Sequence, residues 1–300
     1  MLKLGFIGAG TVGTALAVRL SSKGYPVVAV ASRSRTSAEN LATMVSGCRL
    51  FTNNQDVADN ADLVFITTPD DAIASVVSQI QWHTAQNVVH CSGADSTDTL
   101  KPARKLGARV GAMHPLQTFA SIKQAIENLP GSTFALEAEE PLLNILKNMA
   151  TALDGQWIVL KPDDKVVYHA AAVIACNYMV TLVKLATDLW QTFGIPQQQA
   201  TQALIPLLRG TLNNIDTVGI PKCLTGPIAR GDTGTIKKHL NALQKRAPAI
   251  VSTYRELGLQ TVPVALAKGR IDKNKAGELQ TILKTARLNK SGGELNEDNA

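Results

Sequence analysis

Up to about residue 160, short apolar runs of β-branched and small residues alternate with amphipathic stretches. The runs at 4–7, 27–31, 63–67 and 88–91 end in Gly, Ser, Thr or Pro, a pattern that predicts buried parallel strands. Between them, 12–22, 37–45, 72–79 and 97–106 carry helical periodicity. Later strands are expected at 110–113, 132–136 and 156–159, with a helix over 140–153 between the last two. Such alternation predicts an α/β fold of the Rossmann type, a doubly wound, mostly parallel sheet.

After Pro162 the strand pattern stops. Residues 163–193 contain no Gly or Pro and predict one long helix, ended by Gly194-Ile195-Pro196. Further helices are expected at 197–209, 234–243, 248–257 and 278–288, making an all-helical C-terminal domain. The long helix is apolar nearly all round and therefore needs partners on every side. One small helical domain supplies too few, which points to a homodimer packed through this domain. Its most apolar stretch, 166–183, contains His169 and Asn177, so a buried core helix is expected and no membrane span. The expected division is a nucleotide-binding domain over 1–160, a helical substrate and dimerisation domain over 161–288, and a solvated tail over 289–300.

Composition narrows the class. Of 300 residues, 45% are hydrophobic and 18% charged, ordinary for a soluble globular protein. The net charge of +6 is scattered, and aromatics are only 4%, so nucleic acid is not an expected partner. The excess does favour an anionic ligand. Cys48, Cys91, Cys176 and Cys223 lie far apart without metal-ligand spacing, which suits reduced thiols in the cytoplasm. No metal site and no signal peptide are expected.

Gly8-Ala9-Gly10-Thr11-Val12-Gly13 is a G-x-G-x-x-G pattern between a predicted strand and a predicted helix. Gly8 permits the tight turn, Gly10 lets the backbone approach a pyrophosphate, and Gly13 lets the helix pack close to the strand. The helix start then offers free N–H groups to phosphate. An NAD enzyme usually carries Asp or Glu after the second strand. Here that place holds Ser32-Arg33-Ser34-Arg35, two hydroxyls and two guanidiniums suited to a 2′-phosphate. NADP(H) is the expected cofactor, with Arg33 its foremost ligand. Thr67-Thr68-Pro69 and Ser92-Gly93 end the next two strands and face the same crevice.

Three places could carry chemistry. His114 follows the strand at 110–113, and Gln117 lies just beyond it. Lys165 and His169 share a face at the start of the long helix, with Asn177 two turns on. Each histidine could equally be a satisfied structural group, and Lys165 could be solvated. Thr225 begins a Gly/Pro-rich loop in which Arg230 could clamp a carboxylate, while Asp232 could bind substrate or cap the next helix.

Three segments carry a family likeness: Gly-Ala-Met-His-Pro-Leu-Gln-Thr-Phe at 111–119, Tyr168-His169-Ala170-Ala171-Ala172 followed by Asn177, and Leu224-Thr225-Gly226-Pro227-Ile228-Ala229-Arg230-Gly231-Asp232. On these the chain resembles Rossmann-like NADP-binding proteins with a C-terminal helical domain of unknown function. More distantly it is similar to pyrroline-5-carboxylate reductases, prephenate dehydrogenases and β-hydroxyacid dehydrogenases. The resemblance implies nicotinamide hydride transfer, an active site between domains, and dimers formed by the helical domain. His114-Pro115 is similar to a His-Pro element of the prephenate dehydrogenase group. The β-hydroxyacid pattern sets Asn one helical turn after a catalytic Lys, whereas here His169 holds that place after Lys165, so Lys165 ranks below the histidines. The expected activity is NADP-dependent reduction of a C=O or C=N bond in a small molecule, or its reverse. His169 or His114 would act as acid/base. Asn177, Gln117 and Arg230 would orient substrate. The alternative is an NADP(H)-binding sensor without turnover.

Overall fold

The computed structural model describes residues 2–284. The expected tail at 289–300 and the last residues of the helix expected at 278–288 lie outside them.

Eight strands form one sheet: β1 (Leu4–Ile7), β2 (Val27–Ala31), β3 (Arg49–Leu50), β4 (Leu63–Ile66), β5 (Asn87–His90), β6 (Arg109–Leu116), β7 (Thr133–Ala138) and β8 (Gln156–Val159). Their order is β3-β2-β1-β4-β5-β6-β7-β8, parallel throughout except where β7 runs against β6. Chain order reverses between β1 and β4, the switch point at which such sheets bind ligands.

The helices of this half are α1 (Thr11–Ser22), α2 (Arg35–Met44), α3 (Asn54–Asn60), α4 (Asp70–Ser78), α5 (Lys101–Lys105), α6 (Ile122–Asn128) and α7 (Leu142–Ala152). Side chains alternate across the strands, as the pleat requires. Leu4 and Phe6 pack with Leu16, Leu41 and Leu146 on one face. Ile7 packs with Val57, Ile73 and Ala103 on the other. Both layers are buried, which is why the strands read as continuous apolar runs.

The long expected helix is made of α8 (Lys165–Ala172), a π-helical turn at Val173–Asn177, and α9 (Tyr178–Gln191). The remaining helices are α10 (Gln197–Val218), α11 (Thr233–Arg246), α12 (Val251–Ala267) and α13 (Lys273–Lys284). Two compact units result, one ending at Asn177 and one beginning at Tyr178. The division falls later than 160/161, and α8 belongs to the sheet-bearing unit. Within the second unit, Ile236, Leu240, Val262, Leu279 and Leu283 form a core of their own.

Three expectations need correction. First, α8 and α9 are no buried core helix: Val167 is 72% and Val180 71% exposed. By length and composition Pro162–Gln191 could cross a membrane. Lys165, however, anchors its first turn to the sheet, as described below. Second, α10 and α12 run past the expected ends at 209 and 257, to Val218 and to Ala267, the latter through Pro263. Gly258 stands where the second pattern breaks: a Cβ there would meet Leu283 Cδ2 at 2.8 Å, so this glycine allows close packing of α12 on α13. Third, α3 and α6 have no counterpart in the sequence pattern. Each buries only one or two residues, Val57 and Ala58 in α3 and Ala125 in α6, too few for a visible period.

Candidate functional site

β1 ends at Ile7 and the chain turns at Gly8, whose φ of 107° strongly favours glycine. Thr67, just after β4, locks this turn by donating from its hydroxyl to Gly8 O at 2.7 Å. A Cβ at Gly13 would collide with Thr67 Oγ1 and lie 2.6 Å from Gly8 O, so α1 can seat against β4 only with glycine there. Gly10 faces open space: a Cβ added there would have no atom within 4 Å, and no side chain caps α1. The N–H groups opening α1 thus remain available to an anion. Gly13→Ala is expected to cost about 1–3 kcal/mol of stability through overpacking. Gly10→Ala should cost less than about 1 kcal/mol and instead weaken nucleotide binding. Melting curves and nucleotide titration of both variants check this, and equal destabilisation would contradict it.

The turn opens on a groove of about 950 Å³. Gly8, Ala9 and Gly10 line it on one side, Thr67, Thr68 and Pro69 on another, and Ser32, Arg33 and Ser34 at the end of β2. Arg33 is exposed and makes no hydrogen bond or ion pair among the described residues, so its guanidinium is free for a ligand. Ser34 caps α2 by accepting from Ser37 N–H, and Ser37 also reaches the groove. Arg35 differs from the expectation: it pairs with Glu39 at 2.7 Å along α2 and does not line the groove. Thr68 Oγ1 is buried without a hydrogen-bond partner. An orphaned hydroxyl, a free guanidinium and an uncapped helix start are the donors that a phosphorylated dinucleotide would engage. Thr11, Val12 and Gly13 lie behind the lining as the first residues of α1. Sequence reasoning missed the remaining wall, Thr52 to Asp56 before and within α3 and Ala72, Val76 and Gln79 on and just after α4. These are ordinary residues in no motif, and only the fold collects them.

Ser92 and Gly93 are not part of that lining. The space beside Gly93 is filled by two imidazoles: a Cβ there would stand 2.6 Å from His169 Cδ2 and 2.9 Å from His114 Nε2. The glycine therefore makes room for histidines brought from β6 and α8. The two rings meet edge to face, 6.0 Å between centroids. His114 Nδ1 lies 2.9 Å from the Tyr168 hydroxyl, a partner that sequence reasoning did not single out. His169 makes no hydrogen bond among the described residues, leaving both ring nitrogens available.

Burial, helped by the neighbouring charges of His169 and Lys165, lowers His114 to about 4, and burial pushes Tyr168 up to about 12. Near neutral pH both groups are uncharged. His90, fully enclosed at the end of β5, is lowered to about 3, chiefly by burial and then by the Lys165 charge. Its Nδ1 accepts from Ser92 N–H at 3.1 Å, so Nε2 carries the proton and donates to Ser96 O at 3.2 Å. His90 thus braces the turn that bears Ser92 and Gly93. Ser92 Oγ completes the brace by donating to Asp70 Oδ2 at 2.8 Å and accepting from Asp95 N–H at 3.0 Å.

Both depressed histidines bind protons less readily folded than unfolded, where the ordinary value is 6.5. As pH falls below that value the unfolded chain takes up protons first, so stability present above it is lost toward about 4 and about 3. A melting series descending through this window should show a falling midpoint, and His90→Asn should flatten the fall. A flat wild-type series would contradict the buried neutral rings.

Within the first unit, Gln117 and Asn177 do not join this cluster. The Gln117 amide reaches toward Asn128 O and Ser132 Oγ, and its Oε1 accepts from Thr118 N–H. Asn177 is exposed at the last position of the π-helical turn, which breaks the regular register assumed for it. Asp232 caps α11, accepting from Thr235 N–H at 2.9 Å and from its hydroxyl at 2.7 Å. Arg230 and Thr225 belong to the second unit. Among the described residues no group of His, Cys, Asp and Glu could hold a metal ion.

The chain is 28% identical over 190 residues to the glycerol-3-phosphate dehydrogenase [NAD(P)+] of Syntrophotalea carbinolica, a match covering 59% of this chain and spanning about half, 52%, of that relative's length. Among solved structures it is similar to BF3122 of Bacteroides fragilis, provisionally named an NADP oxidoreductase, at 26% identity and TM-score 0.71, covering 87% of this chain and 98% of that one. The protein TM1727 of Thermotoga maritima shares the fold at 24% identity and TM-score 0.62, covering 95% and 99%. Residues 1–115 match the Rossmann-like domain, and residues 132–261 match a domain of unknown function, DUF2520. The chain therefore joins a Rossmann-like domain to a C-terminal DUF2520 domain.

Proposed function

We propose that this protein is an NADP(H)-dependent oxidoreductase acting on a C=O or C=N group of a small molecule. The observation that carries the reading is the groove in which an uncapped helix start, the Thr68 hydroxyl and the free Arg33 converge. BF3122 of Bacteroides fragilis, provisionally named an NADP oxidoreductase and 26% identical, supports it. When bound, the nicotinamide supplies or accepts the hydride. This chain's own residues hold it: Gly8 to Gly13 under the diphosphate, and Ser32, Arg33, Ser34 and Ser37 around the 2′-phosphate.

For the proton, His169 is the acid/base candidate, since its ring nitrogens are unengaged among the described residues. His114, kept neutral and bonded to Tyr168, sets the neighbouring hydrogen-bond direction and keeps a second positive charge away. Arg230 remains the candidate clamp for a substrate carboxylate. The exposed apolar side chains of α8, α9 and α10, among them Val167, Val180 and Leu207, favour a homodimer. The four free cysteines fit a reducing cytoplasm.

A screen of ketoacids and cyclic imines, followed by NADPH absorbance, tests the activity. Turnover of at least one class, abolished in His169→Asn, is the expected result. Inactivity with every class, alongside intact NADPH binding, would count against catalysis. Light scattering should give twice the chain mass.

A further inference from the structure

Lys165 is the most enclosed charged group of the fold's sheet-bearing half, only 2% exposed at the first turn of α8. A lysine there has lost its water, so its ammonium must find protein partners. Nζ donates to Ser92 O at 3.2 Å, the carbonyl of the Ser92–Gly93 peptide. Glu137 Oε2, from β7, lies 3.7 Å away, and this oxygen makes no hydrogen bond. The other oxygen of that carboxylate accepts from Thr97 N–H at 3.0 Å and from the Thr97 hydroxyl at 2.7 Å. Thr97 Oγ1 also accepts from Arg104 Nη2 at 3.0 Å. The contacts thus run from Arg104 through Thr97, Glu137 and Lys165 to the peptide against which both imidazoles pack.

We propose that Lys165 is a positioning residue: its enclosed ammonium fixes the Ser92–Gly93 peptide, and with it the seat of the His114 and His169 rings, and exchanges no proton with substrate. The inference rests on reading those rings as the acid/base site. Two features separate the role from that of a catalytic amine. The ammonium is sealed from solvent and spends its contacts on a carbonyl and a carboxylate. It also begins the helix whose next turn carries Tyr168 and His169, so one side chain sets both the turn and the helix against each other. The charged and titratable groups facing it are Glu137 from β7, Cys91 and Asp95 flanking the turn, His90 from β5 and His114 from β6. Burial lowers the lysine's pKa, and Glu137 opposes this most strongly. The positive charge in turn helps hold His90 and His114 neutral.

Two measurements on the full chain need no substrate. In reductive methylation with formaldehyde and cyanoborohydride, mapped by peptide mass, Lys165 should resist modification while exposed Lys161 reacts. Modification of Lys165 in the folded chain at the rate of surface lysines would overturn the proposal. The second measurement is a histidine-ring NMR titration, assigned with single His→Gln variants. Lys165→Met alone strands a buried carboxylate, so Lys165→Met/Glu137→Gln carries the test. The His114 midpoint should rise from about 4 toward the ordinary imidazole range, and the ring signals of both His114 and His169 should move. Lys165→Arg, which keeps the charge, should hold the midpoint low. A folded double variant with wild-type midpoint and ring signals would overturn the proposal. Both readouts are taken without cofactor, so a failed substrate screen would count against the enzymatic reading alone.

Discussion

Gly93→Ala should lower turnover about 100-fold while leaving NADPH affinity within a few-fold of wild type. The added methyl would stand 2.6 Å from His169 Cδ2 and 2.9 Å from His114 Nε2, distances that no relaxed contact tolerates. The backbone below cannot yield easily, because His90, Lys165, Asp70 and Asp95 all brace the turn. The rings must therefore move, by roughly an ångström, a displacement that typically costs about two orders of magnitude in rate. Gly93 does not line the nucleotide groove, so the adenosine end should still bind. The check is steady-state kinetics with the best carbonyl or imine probe, beside NADPH titration by fluorescence. A folded variant turning over at half the wild-type rate or better would show that the rings do not carry the chemistry.

Arg33→Asp should weaken NADPH binding by roughly 10²–10³-fold and NADH binding by only a few-fold. Hydrogen bonds to charged groups contribute about 1.5–3 kcal/mol. A forked guanidinium on a phosphate lies at the upper end of that range, and an aspartate adds repulsion to the loss. Each 1.4 kcal/mol is tenfold in affinity. Arg33 has no partner to release among the described residues, so the substitution should leave the fold intact, and melting curves provide that control. Calorimetry with both nucleotides reads the difference. Equal loss for the two would retire the 2′-phosphate assignment.

What is legible in the sequence follows from which residues must obey a local rule. Gly8 and Gly13 answer to backbone geometry, so the turn and the close packing can be assigned from spacing and are observed, and Gly10 faces open space. The basic turn at Ser32 to Arg35 is visible too, but the division of labour within it is not. Arg35 is the first residue of α2, where Glu39 lies one helical turn away and claims it. Likewise His114, Lys165 and His169 stand out as polar residues in apolar surroundings. That Tyr168 pairs with His114, and that Gly93 gives both rings their space, depends on the side-by-side placement of β5, β6 and α8, which no local pattern encodes. The expectation of a buried core helix over α8 and α9 fails for a different reason: an all-round apolar helix needs partners on every side, and within one chain Val167 and Val180 stay exposed.

Calorimetric titration of the purified protein with NADPH, and separately with NADH, reads whether the groove at Gly8, Thr68 and Arg33 holds a 2′-phosphorylated dinucleotide. Saturable heat is expected with NADPH, and markedly weaker binding with NADH. An absence of heat with either nucleotide, together with no competition between them, would contradict it.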